Sequence, residues 1–239
     1  MDKNAEVRVV GYTRQEIISK CKIALEDAKT FYQQDIVNYR GRTEDTNELY
    51  SEVVAEYLCE NIFEFMNGIP EIIRSEYKID SHDGKYDVDS NRLEEKIAMR
   101  MFAMSKGGKV FSSIGKIIDY QTPLKAKRKD VAGKIDLLSY NSATNRVFVL
   151  ELKEPDSMET MLRCVLEGYT YMRTLNKQKL LDNFNIPSSA QLFACPFVFK
   201  ESIQKKEMQE NRPFLKKLMT LLERRPFYIT KDPYDVEEE

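Results

Sequence analysis

Two apolar runs in this chain each carry charge where a buried strand should have none. Gly133-Lys134-Ile135-Asp136-Leu137-Leu138 holds an acid at its centre, and Val147-Phe148-Val149-Leu150-Glu151-Leu152-Lys153 closes on a Glu-x-Lys. Burying unpaired charge is costly, so few folds keep such a pair without something to neutralise it. Strand side chains alternate between faces. In the second run Val147, Val149, Glu151 and Lys153 share one face, and Phe148, Leu150 and Leu152 share the other. In the first, Lys134, Asp136 and Leu138 oppose Ile135 and Leu137.

With Ala143-Thr144 at the tip of a tight hairpin, Ser142 faces Asn145. Counting outward, Leu137 falls opposite Leu150, Asp136 opposite Glu151 and Ile135 opposite Leu152. All five apolar residues then line one face, while Asp136, Glu151 and Lys153 gather on the other. A slip of one residue would mix the two sets, so the hydrophobic pattern specifies the register. Carboxylates placed opposite one another have Cβ atoms ~5 Å apart. One of them binds a proton unless a cation intervenes. Mg²⁺ or Mn²⁺ suits the role, because Mg²⁺ takes oxygen ligands from one or two carboxylates together with water and phosphate. Lys153 on the same face could hold or polarise an attacking water, or stabilise charge growing on a phosphate. The plainer reading is a solvated Glu–Lys–Asp cluster on an edge hairpin. Leu137-Leu138 and residues 147–150, apolar on both faces, favour central strands instead.

Around this pair the chain reads as helices, then alternating strands and helices. Thr13-x-x-Glu16 has the form of a capping box and opens a predicted helix to about residue 39. Asp45 to Glu48 repeats the pattern before a second helix with Leu49, Val53, Tyr57 and Leu58 on one stripe, ending near Gly68. Ser81-His82-Asp83-Gly84 looks like a turn. A third helix spans 91–104, with Leu93, Ile97, Met101 and Met104 as its stripe, Glu94 at the edge of that stripe and Glu95 pointing away. A strand is expected within 110–121. Pro155 ends the strand region, and Asp156 with Glu159 caps a long helix striped by Met158, Met161, Leu162, Val165, Leu166, Tyr169 and Met172. Residues 191–199 and 226–230 read as strands with a helix over 214–224 between them, and the acidic tail 232–239 reads as frayed. The expected class is α/β or α+β, a mixed central sheet flanked by helices. Its parts are a helical N-terminal region (1–90), a core (91–232) and an acidic tail (233–239).

Composition narrows the chemistry. Lysine and arginine (37) nearly balance aspartate and glutamate (39), which counts against a broad electrostatic grip on nucleic acid but permits a local patch. Lys125, Lys127, Arg128 and Lys129 form the one dense basic run. With Lys134 they are candidate phosphate contacts, although such a run equally suits an exposed loop. Cys21, Cys59, Cys164 and Cys195 are scattered, with no C-x-x-C, which argues against zinc or a disulfide framework and points to a reducing cytoplasm. His82 is the single histidine, nearly excluding His-ligated metals and His-based triads. No apolar run approaches the ~20 residues of a membrane span, and residues 1–6 lack the order of a signal peptide. Neither a phosphate-binding Walker loop nor a G-x-S-x-G occurs.

The succession of Gly133-x-x-Asp136, a hairpin, Glu151-Leu152-Lys153 and a helix resembles the PD-(D/E)XK nuclease superfamily, over residues 90–200. Ile135 stands where the family name implies proline. The resemblance implies a restriction-endonuclease-like fold and Mg²⁺- or Mn²⁺-dependent hydrolysis of nucleic-acid phosphodiester bonds, DNA first. Asp136, Glu151 and the Leu152 carbonyl would bind metal, and Lys153 would assist the water. Many relatives carry another Glu on the helix before the first strand; Glu94 is preferred to Glu95, and it could equally complete a capping box with Asn91. Some place a Gln-x-x-x-Tyr on the following helix, where this chain has Glu167-x-x-x-Tyr171 with Arg163 one turn earlier. Those three form a polar stripe that lines a cleft or meets solvent, and solvent is the simpler expectation. A rival reading is an inactive nuclease-fold binding module, in a homodimer or in a complex for DNA repair or defence.

Overall fold

The computed structural model describes residues 11–82, 92–126, 133–231 and 234–238. Its centre is one mixed sheet in the order β1 (Lys116–Pro123), β2 (Lys134–Asn141), β3 (Arg146–Leu152), β4 (Gln191–Phe199), β5 (Phe227–Thr230) and β6 (Asp235–Glu238). β3, β4 and β5 run parallel, and the other neighbours pair antiparallel. The charged strands β2 and β3 are therefore interior, and every residue of 147–152 is buried. The class expected from sequence, a mixed sheet flanked by helices, is what forms.

Around the sheet lie α1 (Arg14–Leu25), α2 (Tyr50–Glu60), α3 (Ile62–Asn67), α4 (Leu93–Lys106), α5 (Met161–Thr174), α6 (Lys177–Asn183), α7 (Ile203–Gln209) and α8 (Pro213–Leu221). Strand alternation builds two apolar cores. Val147 and Val149 join the core of α5, whereas Phe148, Leu150 and Leu152 join that of α4. The N-terminal helices share the α5 core through Ile17, Val54, Leu58 and Phe65. They are also tied to α8, since both Glu52 carboxylate oxygens accept from the backbone N–H groups of Phe214 and Leu215, each at 2.9 Å. No helix among the described residues is long and apolar enough to cross a membrane.

The hairpin keeps the expected count, from Asn141 opposite Arg146 to Leu137 opposite Leu150. There the ladder stops, short of the expected Asp136–Glu151 and Ile135–Leu152 pairs. The Leu152 N–H instead donates to the Asp136 carboxylate at 3.0 Å. The strands part at that point, and Ile135 leaves its four apolar partners to pack in the α5 core with Leu124.

Other expectations give way to tertiary packing. The Thr13 capping box forms, but α1 stops at Leu25 and two 3-10 turns, Ala28–Gln33 and Asp35–Asn38, replace its second half. Adjacent pairs Phe31-Tyr32 and Ile36-Val37 are all buried, which a single helical stripe cannot achieve. Asp45 caps no second helix; it accepts from the Arg14 N–H at 2.9 Å, at the start of α1. The second helix divides at Asn61. Leu93, assigned to an apolar stripe, is exposed, and α4 buries Ile97, Ala98, Met101 and Phe102. The strand expected in 110–121 begins at Lys116 and runs to Pro123. The helix expected from Asp156 begins at Met161, capped by Thr160, and Met158 is exposed. Residues 235–238 of the acidic tail pair with β5 as β6 rather than fraying. Asn91, Asp83, Gly84, Lys127, Arg128 and Lys129 lie outside the described residues, and with them the Asn91 box and most of the basic run.

Candidate active site

Glu151 faces α5, and Asp136 sits at the point where β2 and β3 part. α5 can approach because Gly168 faces β3, where a Cβ would stand 3.3 Å from that of Glu151. Gly133, the first residue of the Gly133-x-x-Asp136 motif, sits directly against the Tyr171 hydroxyl, where any side chain would collide. Asp136 is held from both sides. Its Oδ2 accepts from Leu152, and its Oδ1 accepts from the Gln121 side chain at 3.0 Å. Gln121 reaches it from a left-handed backbone position (φ 48°) in β1, a conformation non-glycine residues adopt at a cost.

Lys153 is the hub. Its ammonium lies 2.8 Å from Glu151, 2.8 Å from Glu159 and 3.2 Å from Glu167, and its side chain is only 6% exposed. Glu167 also takes the Arg163 Nε at 3.2 Å and the Tyr171 hydroxyl at 2.8 Å. The Arg163–Glu167–Tyr171 stripe therefore faces this cluster, not solvent: Glu167 and Tyr171 are buried. A polar helix stripe reads the same whether it meets water or a buried ion cluster. Glu151 is 3% exposed; its Oε2 meets no donor among the described residues, and its carboxyl lies within hydrogen-bonding reach of Glu167.

The carboxylates of Glu94, Asp136, Glu151, Glu159 and Glu167 gather here around Lys153 and Arg163. Burial pushes the Asp136 carboxyl up to about 7, with Glu94 adding to the effect. Burial, then Asp136 and Glu167, push Glu151 well above the carboxylate range. Burial works against charge on Lys153, but the surrounding carboxylates outweigh it and hold the ammonium well above its ordinary value. Burial likewise opposes ionisation of Glu167, yet Lys153 and Arg163 keep it below the ordinary range. Burial raises Glu94 as well.

Part of the cluster opens into a cleft of about 650 Å³ whose lining includes Glu94, Gln121, Asp136, Lys153 and Glu159, while Glu151 and Glu167 lie behind these walls. Glu94 reaches it from α4 and accepts from the Glu154 N–H at 3.2 Å. Glu95, expected to point away, also lines the cleft. One wall is the connection 153–160. Arg40 donates to the Met158 carbonyl, and Gln204 donates to the carbonyls of Ser157 (3.3 Å) and Glu159 (2.6 Å). Lys125 and Lys134 are exposed just beyond β1 and at the start of β2. Gln121 and Glu159 escaped sequence reasoning. Nothing marks a strand glutamine as a positioning group, and Glu159 resembled a helix cap.

Among the described residues, no three acidic, histidine or cysteine side chains converge in metal-ligand geometry. The donor set still suits a hard divalent ion. One or two carboxylates suffice when water and phosphate supply the rest, and Asp136 and Glu151 are buried carboxyls that act on one another here. No family model, curated protein or solved structure matches this chain.

Proposed function

We propose that this chain is a metal-dependent phosphodiesterase acting on nucleic acid, with DNA the first substrate to test, on a restriction-endonuclease-like core. The observation that carries the reading is the crowding of the buried Glu151 carboxyl with Asp136, Glu167 and Lys153 where β2 and β3 part. A phosphodiester cannot approach an acidic cluster of this excess unless a cation neutralises it. Asp136 and Glu151 would hold Mg²⁺ or Mn²⁺, with the Leu152 carbonyl and Glu94 as further oxygen donors. When bound, such an ion supplies Lewis-acid polarisation of the phosphate and activation of water.

The chain's own residues divide the remaining work. Leu152 and Gln121 orient the Asp136 carboxylate, and strand rigidity keeps it there. Lys153, kept charged by its carboxylates, acts as a proton donor in hydrogen bonds and as a fixed positive charge. It positions the attacking water and stabilises charge growing on the phosphate oxygens; a proton-accepting role does not suit a lysine held this way. Glu159, on the cleft wall and one third exposed, is the partner Lys153 releases as substrate enters.

One observation favours a second reading. The Lys153 ammonium already faces three carboxylates, as expected of a structural ion cluster in a non-catalytic binding module. Calorimetric titration with Mn²⁺ separates the two, because absence of binding at millimolar metal supports the module. The direct test is incubation with linear and circular, single- and double-stranded DNA in Mg²⁺ or Mn²⁺, with Lys153→Ala as control. Cleavage that persists in the control, or none by the wild type, overturns the enzyme reading.

A further inference from the structure

The parallel strands β3, β4 and β5 begin at Arg146, Gln191 and Phe227, and the acidic cluster lies where β3 ends. Near the beginnings of these strands is a second cleft, of about 470 Å³, whose lining includes Arg146, Phe148, Phe193, Arg224, Arg225 and Phe227. Its volume is in the range of small-molecule sites. Arg224 is the anomaly. It is 7% exposed, its Nε has no hydrogen-bond partner, and it forms no ion pair with a carboxylate among the described residues. Among the described residues its other nitrogens meet the Glu223 carbonyl at 3.4 Å and the Met172 sulfur at 3.3 Å, and the guanidinium rests 5.0 Å from the centre of the Tyr169 ring. The Glu223 carboxylate on the cleft wall, unpaired among the described residues, only partly offsets the burial of Arg224. Burial pushes its pKa below the ordinary arginine value. A buried guanidinium left this way calls for an anion.

The neighbours describe that anion. Arg225 is 78% exposed and pairs with Glu238 at 3.5 Å, a weak surface contact that a stronger acceptor displaces. Arg146 lies over the Phe193 ring at 5.5 Å, and Phe148 packs against both Phe193 and Phe227. Guanidinium forks match phosphate oxygens, and aromatic and arginine planes stack on nucleobases. We propose that this cleft binds a nucleotide-type anion, with the phosphate on Arg224 and Arg225 and the base against Phe193 and Arg146. The bound group is a free nucleotide or the end of a strand, and the inference stands independently of the phosphodiesterase reading.

Isothermal titration of the metal-free full chain, in chelator, tests it with a deoxynucleoside monophosphate, the matching nucleoside, inorganic phosphate and a 5′-phosphorylated dinucleotide. The monophosphate is expected to bind at least tenfold more tightly than nucleoside or phosphate alone. Arg224→Met should weaken it tenfold or more, and the more exposed Arg146→Ala and Arg225→Ala at least threefold each. Tighter binding of the dinucleotide identifies a strand end, and tighter binding of the monophosphate a free nucleotide; either supports the site. No binding of either at millimolar concentration overturns it. So do equal affinity for inorganic phosphate, or unchanged affinity in both Arg146→Ala and Arg225→Ala, the two variants that do not depend on the buried residue.

Discussion

Two carboxylates are buried in this sheet in opposite ways. Asp119 on β1 is 2% exposed, and each of its oxygens has a partner: His82 Nδ1 at 2.6 Å and the Thr122 hydroxyl at 2.7 Å. His82 in turn stacks on Tyr120, ring centres 4.1 Å apart. Glu151 on β3 is as deeply buried, but it has like-charged neighbours, and one of its oxygens meets no donor among the described residues. Burial raises both acids above their ordinary values. Depth alone therefore does not separate a structural acid from a candidate functional one. The company each acid keeps does: Asp119 faces His82 and Thr122, whereas Glu151 shares its space with Asp136 and Glu167.

The contrast breaks most directly at the chemistry. Asp136→Ala and Lys153→Ala should each lower DNA cleavage by at least ~10²-fold, whereas His82→Ala should leave the rate per folded molecule within about twofold, a range smaller than any of those catalytic contributions. Single-turnover cleavage assays, with folding checked by circular dichroism, decide this. A His82→Ala loss as large as that of Lys153→Ala would erase the distinction.

The pH dependence of stability should come next in size. Asp136 holds its proton up to about 7 in the folded state, against 3.8 ordinarily. Between those values the folded chain binds the proton and the unfolded chain does not, so stability falls as pH rises through this window. At about 1.4 kcal/mol per tenfold difference in proton affinity, the loss is on the order of 4 kcal/mol without metal. Asp136→Asn should flatten the fall between pH 5 and pH 8 in metal-free denaturant titrations. An equally steep fall in the variant would show that Asp136 is not its source.

Asp119→Asn and His82→Ala sharpen the comparison from the other side. Each leaves a buried polar group short of a partner, so each should destabilise by about 1–3 kcal/mol, read as a lower urea midpoint at unchanged slope. Glu151→Gln should cost less than Asp119→Asn in metal-free buffer, because it removes like-charge repulsion along with the ion pair to Lys153. The reverse ranking would mean that Glu151 is the better satisfied of the two. The smallest effect is expected at Glu159. Glu159→Gln should raise the cleavage rate by less than about tenfold, consistent with the modest worth of a partly exposed ion pair; a loss of activity would instead make Glu159 part of the catalytic machinery.

Much of the site was legible because strand periodicity is a local property. The alternation of apolar and charged residues was enough to set Leu137 opposite Leu150 and to put Glu151 on the face of Val147 and Val149, though not to keep Asp136 opposite Glu151. The Thr13 capping box was legible for the same reason, as its partners lie three residues apart. Helix starts further along were not. Thr160 rather than Asp156 begins α5, with its hydroxyl donating to the Val37 carbonyl at 2.5 Å, a contact across more than a hundred residues. That late start leaves 153–160 as a cleft wall and turns Glu159 from a cap into a partner of Lys153.

Local patterning thus decided the hairpin register from Asn141–Arg146 to Leu137–Leu150, because burial of apolar area acts on each strand separately. Where the two strands part, which helix covers Glu151 and which acids crowd around it depend on contacts distant in the chain. Gln121 reaches Asp136 from β1, α5 closes over Glu151 at Gly168, and Arg40 and Gln204 pin the wall. Electrostatic satisfaction is a property of the whole surrounding shell, and that shell exists only once the chain has folded.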